Sequence, residues 1–207
     1  SQTRASNAKK SGALESEIVP IATGQGVVSE DGCIRPETNS EALSGLRPAF
    51  LADGTVTAGT SSPLTDGAAF VLVCSEEFAN QNGLKPMARI VSSAVTGCAP
   101  EIMGIGPVEA SKKALDRAGL SIEQMDIIEL NEAFAAQSLA VVEEMGLDLS
   151  KVNIEGGAIA LGHPLGASGA RITGKAAQLL RRNGAKYALA TMCVGGGQGI
   201  ATVLERI

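Results

Sequence analysis

The chain has 207 residues, a formal net charge of −5, 44% hydrophobic residues, 2% aromatic residues and no Trp. The acidic balance gives no electrostatic case for nucleic acid or an anionic membrane, and no apolar run approaches the ~20 residues of a spanning helix. With so little aromatic bulk, the core must be Ala, Val, Ile and Leu under closely packed backbone, as in Gly/Ala-rich α/β proteins.

Cys33, Cys74, Cys98 and Cys193 lie far apart without CxxC spacing. That argues against zinc and a disulfide framework and fits a reducing compartment. There is no signal-peptide pattern at the start, so a cytoplasmic location is the default expectation, with an organellar one the alternative if a missing N-terminus carried a targeting sequence. The chain opens on Ser1-Gln2-Thr3-Arg4, which reads as the middle of a polar helix and suggests a fragment.

Taken in order, residues 1–12 predict a polar helix tail. Glu17-Ile18-Val19-Pro20 predicts a short edge strand closed by proline. Residues 22–39 predict loop. Residues 40–47 predict a short helix capped by Ser40 and stopped by Pro48. Gly54 to Pro63 is a second polar loop of small residues. Little up to Leu64 can build a core, so residues 1–64 read as an incomplete cap. From Asp66 the pattern changes. Ala68 to Cys74 is a continuous apolar run, as buried strands show, and Ser75 caps a helix to about Asn82. Ala88 to Ala94 predicts a strand. Pro107 starts a helix carrying Val108, Ser111, Leu115 and Ala118, which Gly119 stops. Asp126 to Leu130 predicts a buried strand, and Asn131 opens a helix with Phe134, Val141, Val142 and Met145 inside. The run Gly156 to Gly169 holds five glycines and predicts an irregular loop. A helix through Ile172, Ala176, Leu179 and Leu180 follows, ended by Asn183-Gly184. Tyr187 to Cys193 and Ile200 to Leu204 predict strands joined by a glycine turn. Alternating strands and helices with a final hairpin give an α/β layered domain with a mixed sheet.

His163, the only histidine, is the one side chain with an ordinary pKa near neutrality. It is either structural or a base able to deprotonate a nucleophile or bind an oxyanion. Cys193 precedes Gly195-Gly196-Gly197. It is either a small buried hydrophobe or a thiol beside backbone N–H groups that form an oxyanion hole. Asn131 ends a strand where α/β proteins place ligands, and is otherwise an N-cap. Glu132 is either catalytic or placed to favour a helix N-terminus. The Gly195–Gly199 run leads into a strand and lacks GxxxxGK[ST], so a nucleotide-binding loop fails on context.

Asn131-Glu132-Ala133-Phe134, Gly162-His163-Pro164-Leu165-Gly166-Ala167-Ser168-Gly169 and Cys193-Val194-Gly195-Gly196-Gly197-Gln198-Gly199 together resemble the three C-terminal signatures of the thiolases. Gly54 to Gly59, with Ser62 to Gly67, resembles their loop-domain motif. The resemblance implies a thiolase-like fold: a C-terminal βαβαβαββ half-domain (65–207), its mixed sheet between helices, after a partial CoA-binding loop domain (1–64). It implies Claisen condensation of acyl-CoAs, or thiolysis of 3-ketoacyl-CoA, through an acyl-cysteine. His163 matches the residue that activates the nucleophile, Cys193 the second cysteine that moves the α-carbon proton, and Asn131 the residue that holds an oxyanion-hole water. Gly195 matches a backbone donor to the second hole. Arg35, Leu46, Phe50, Ala58, Ser62 and Phe134 match positions along the CoA and acyl channel. Coenzyme A enters as substrate, and neither metal nor redox cofactor is implied. Thiolases are about twice this length and carry the nucleophile in the N-terminal half. That cysteine is absent here and is expected from another chain or a lost segment, with homo-oligomerisation inferred from the family. This chain alone is then expected to be inactive. A non-catalytic CoA-binding or dimerisation module is the alternative. Ketoacyl synthases, which pair Cys with two His or with His and Asn, fit the single His163 plus Cys193 less well.

Overall fold

The computed structural model describes residues Ser1–Ile207. Helix α1 (Gln2–Lys10) opens the chain, as its polar pattern predicts, with Lys9 and Lys10 in the last turn, where the macrodipole favours cations. The strand predicted at Glu17–Pro20 does not form. Pro20 has no N–H to give a ladder, and pairing begins after it in a short hairpin, β1 (Ile21–Thr23) with β2 (Gly26–Val28). Helix α2 (Ser40–Ser44) is capped one residue earlier than expected, by Asn39, whose Oδ1 accepts from the Ala42 N–H at 2.9 Å.

Ala68 to Cys74 also departs from expectation. It runs without regular strand pairing, with Phe70 95% and Leu72 73% exposed. A run apolar on both faces suits a strand covered by two layers; here Val71 packs on α7, at Gly174, but no neighbouring strand pairs with the run. Helix α3 (Glu76–Gln81) follows, capped by Ser75 as predicted.

The remaining elements are β3 (Ala88–Gly97), a 3₁₀ segment (Pro100–Ile105), α4 (Gly106–Ala118), β4 (Ile127–Leu130), α5 (Ala135–Met145), α6 (Ala158–Leu161), α7 (Leu165–Asn183), β5 (Tyr187–Val194) and β6 (Gln198–Arg206). The sheet order is β3-β6-β5-β4. The β4/β5 pair is parallel, and β5/β6 and β6/β3 are antiparallel, giving the expected mixed sheet. Strand alternation divides the core in two. Ile128 and Leu130 join Leu189, Val203, Val108, Leu115 and Val141 on the side of α4 and α5. Ile127 joins Ala188, Ala190, Leu204, Ile172, Ala176, Leu179 and Leu180 on the side of α7. Each fully buried Leu or Ile here contributes about 1.5–3 kcal/mol by transfer from water.

Two elements at the site begin differently from the prediction. Asn131 does not cap a helix: α5 starts at Ala135, with Phe134 at the N-cap position. The glycine-rich run is not all loop. It holds α6 and the first turn of α7, because burial of Ala158, Ala160, Ala167 and Ser168 outweighs the weak helix propensity of their glycine neighbours. Beyond β4 the sheet edge is closed by residues 151–153, whose backbone bonds Ile128 at 2.9 and 2.8 Å, and then by a side chain. The Asn153 amide accepts from the Leu130 N–H at 2.9 Å and donates to the Leu130 carbonyl at 2.8 Å, imitating a paired strand.

Candidate active site

The parallel strands β4 and β5 run side by side to their C-terminal ends, where α/β sheets place ligands. Leu130 pairs with Thr191, and the next residue, Asn131, donates its backbone N–H to the Thr191 carbonyl at 3.0 Å. This places Asn131 beside the last residues of β5, of which Cys193 is the penultimate. Asn131 is fully buried. Its Nδ2 lies 3.2 Å from His163 Nε2, and its Oδ1 is buried without a protein partner.

His163 sits between α6 and α7. Gly162 has φ +95°, and a Cβ there would fall 2.6 Å from the Thr65 side chain, so only glycine lets the chain pass. The imidazole is held on both sides. Nδ1 is 2.6 Å from Ser168 Oγ, and Ser168 Oγ is 3.2 Å from the Pro164 carbonyl. A carbonyl can only accept, so the Ser168 hydroxyl donates to it and accepts from Nδ1–H. Nε2 is then the bare nitrogen and accepts from the Asn131 amide. Burial, and secondarily the positive charge of Arg171, hold the His163 pKa below its ordinary value. The ring is neutral at pH 7 and carries a basic lone pair on Nε2.

Cys193 pairs with Gly199 across the β5–β6 hairpin and is 4% exposed. Burial pushes its thiol pKa up, so it stays a protonated thiol at neutral pH. Gly195 is exposed in the hairpin turn, with open space where a Cβ would stand. Beneath the turn, Gly199 and Gly106 meet backbone to backbone. A Cβ on Gly199 would lie 2.0 Å from the Gly106 carbonyl oxygen, so α4 abuts the hairpin base directly.

Glu132 is structural. One carboxylate oxygen accepts from Asn153 Nδ2 at 3.0 Å and the other from the Ile159 N–H at 3.1 Å, so it anchors the start of α6. The channel candidates fall into two groups. Arg35, Leu46, Phe50 and Ala58 are exposed on the N-terminal segment, Phe50 at 77%. Ser62 and Phe134 lie at the site itself, where Ser61 bridges Phe134 and the Ser62 N–H donates to the Ala133 carbonyl at 3.0 Å. Sequence reasoning missed Ser168 and Thr65. Ser168 lies five residues after His163 on the first turn of a helix, a spacing that the expected loop concealed. Thr65 reaches His163 only through the fold.

The profile of the thiolase C-terminal domain matches residues 84–206, and that of the thiolase N-terminal domain matches residues 1–77. The chain is 56% identical over its whole length to the 3-ketoacyl-CoA thiolase of Salmonella typhimurium and covers 56% of it. It is 51% identical to the acetyl-CoA acetyltransferase of Chromobacterium violaceum and covers 54% of it. Among solved structures, the Bacillus anthracis acetyl-CoA acetyltransferase superposes on the whole chain with a TM-score of 0.96 at 46% identity, with 54% of that protein covered. Human mitochondrial 3-ketoacyl-CoA thiolase in complex with CoA gives 0.93 at 48% identity, with 52% covered. The chain thus spans about half the length of the curated relatives it matches. No helix is long and apolar enough to cross a membrane. With its sheet order, its paired Asn131 and His163 and its two matching domain profiles, the chain belongs to the thiolase family.

Proposed function

We propose that these residues serve acyl transfer between CoA thioesters: thiolytic cleavage of a 3-ketoacyl-CoA, or its reverse, Claisen condensation. The observation that carries this reading is the Asn131–His163–Ser168 relay, which presents a neutral imidazole with a bare Nε2 at the end of β4. In the thiolysis direction, His163 takes the proton of a nucleophilic cysteine supplied by the N-terminal half of a complete thiolase. The thiolate attacks the 3-keto carbon and the C2–C3 bond breaks. The electron pair passes to C2, and Cys193, protonated at neutral pH, gives C2 its proton. Acetyl-CoA leaves. The CoA thiol gives its proton to the Cys193 thiolate and attacks the acyl-cysteine, the C–S bond to that cysteine breaks, and the cysteine thiolate regains its proton from His163 as the shortened acyl-CoA leaves. Asn131 Oδ1 accepts from a water that donates to the thioester oxygen, and the Gly195 N–H serves the second oxyanion. Residues 1–64 act as the cap that offers Arg35, Leu46, Phe50 and Ala58 to CoA, and residues 65–207 carry the proton-transfer groups. Ser62 and Phe134 line the channel between them.

The test is acetoacetyl-CoA thiolysis by the chain, alone and combined with an N-terminal thiolase segment bearing the cysteine. The expected result is turnover in the combination only. His163→Ala and Cys193→Ala should each lower it about 10³-fold while CoA binding largely survives. An acyl-enzyme formed by the 207-residue chain alone would overturn the claim that the nucleophile comes from elsewhere. CoA binding with no turnover in the combination would select the non-catalytic reading.

A further inference from the structure

Residues 60–67 cross the site as a strap that touches both catalytic motifs. At one end the Ala135 N–H donates to the Thr60 carbonyl at 2.8 Å, and the Ser62 backbone N–H and hydroxyl both donate to the Ala133 carbonyl, at 3.0 and 3.2 Å. At the other end Gly67 is packed so closely on Pro164 that a Cβ would stand 2.8 Å from the proline ring. Between them, half-buried Thr65 points its hydroxyl at His163. That hydroxyl donates to the Pro63 carbonyl at 2.7 Å, and its oxygen accepts the His163 backbone N–H at 3.3 Å. Its methyl and hydroxyl both fill the space left by the missing side chain of Gly162.

The geometry assigns Thr65 as a positioning residue for His163: its hydroxyl fixes the backbone of the base while Ser168 and Asn131 fix the ring. Three separate segments then hold one residue: the strap at the main chain, α7 at Nδ1 and the end of β4 at Nε2. The proton inventory is consistent. The Thr65 O–H is committed to Pro63, which leaves its oxygen as the only group facing the His163 N–H. The strap is also the segment that carries Ser62, one of the channel residues above. Substrate held along the strap and the orientation of the base therefore share one short piece of backbone. A shift of the strap would swing Nε2 off the line to its proton, and placement errors of about 1 Å cost large factors in rate.

The inference rests on the thiolase reading for its kinetic consequence, but its structural consequence has a separate readout. His163 is the only histidine, so imidazole ¹⁵N shifts of the 207-residue chain report one ring and its tautomer. Thr65→Val removes the acceptor at constant shape. The expected result is movement of the ring shifts from the single Nδ1–H tautomer towards the average of the two. In the combined enzyme kcat should fall about tenfold, the cost of one hydrogen bond, while KM stays within twofold. Thr65→Ser keeps the hydroxyl and should restore both readouts. Ser61→Ala removes a strap hydrogen bond to Thr57 that does not touch His163, and should leave the ring shifts unchanged. Unchanged ring shifts in folded Thr65→Val would overturn the assignment, as would Thr65→Ser behaving like Thr65→Val. If Thr65→Val does not fold, Thr65→Ala against Thr65→Ser decides by the same shifts. If the combined enzyme shows no turnover at all, the thiolase reading fails and the ring shifts alone judge Thr65.

Discussion

Glu129 lies on β4 two residues before Asn131, with both carboxylate oxygens buried and unpartnered. Strand alternation turns it towards α7, where Arg171 and Lys175 lie, and Glu132 and Glu17 add negative charge nearby. Burial outweighs the two cations and raises its pKa from 4.5 to about 8. The sign follows directly. Unfolded chain ionises this carboxyl from about pH 4.5, while the folded chain keeps it neutral up to about pH 8. Stability attributable to Glu129 is therefore full below pH 4.5 and is lost progressively between pH 4.5 and 8, by on the order of 4–5 kcal/mol. Glu129→Gln, which mimics the neutral acid, should match the parent chain at pH 4.5 and exceed it at pH 8 in urea melts. Equal pH slopes for the two proteins would show that Glu129 is ionised in the fold. His163 shifts the other way. Its lowered pKa places its NMR titration midpoint below the ordinary 6.5. Arg171→Met should raise that midpoint, because Arg171 is its second cause after burial. The imidazole is thus predominantly neutral at pH 7, and an acid limb due to His163 in the activity profile of a combined enzyme should fall below pH 6.5.

Helix α7 shows how one element ties the site to the rest of the chain. Ser168, Arg171, Lys175, Gln178 and Arg182 recur at spacings of three and four and form one polar stripe. Ser168 holds His163. Lys175, 3% exposed, bonds Glu17 at 2.6 Å and Glu155 at 2.7 Å, Gln178 bonds Ser16, and Arg182 reaches Glu155 and the Ala13 carbonyl. The segment after α1 therefore docks on the same helix face that holds His163. Lys175→Met leaves half-buried Glu17 without its ion-pair partner and buried Glu155 with Arg182 alone, and should cost about 3 kcal/mol. It should also open residues 13–18 to proteolysis before the sheet unfolds; uniform proteolysis across the chain would argue that the stripe is not a local clamp. This element also marks what the sequence could show. The stop at Gly184 and the apolar face through Ile172 and Leu180 follow from local pattern, and so do β5, β6 and the glycine turn between them. The positions His163, Asn131 and Cys193 were legible because each interrupts or ends a regular element. Ser168, Thr65 and Asn153 were not: each is an ordinary polar residue whose partner is chosen by tertiary contact. The start of α7 was misread because glycine propensity was weighed without the burial that overrides it.

At the scale of the whole molecule, the conspicuous feature is an apolar strip that its own fold leaves uncovered. Leu64, Phe70, Leu72 and Val73 are exposed along extended backbone, and none of them belongs to a sheet. Patches of this kind on soluble proteins mark interaction surfaces or association hazards, and an extended apolar segment with free N–H and C=O groups can also template strand pairing. The thiolase N-terminal profile runs through this strip to residue 77, and the relatives are about twice as long as the chain. Pairing with the remainder of a thiolase N-terminal domain would satisfy both the side chains and the backbone. The 207-residue chain alone should then self-associate in sedimentation velocity as its concentration rises, and an added N-terminal thiolase segment should replace self-association with a defined heterocomplex. The paired substitution Phe70→Lys and Leu72→Lys should suppress both, since it places charge where desolvated strand faces would meet. Loss of self-association with full retention of the heterocomplex would show that the N-terminal segment binds somewhere other than this strip. A monomeric parent chain at all concentrations would show that the strip is shielded in solution by a rearrangement of residues 64–74.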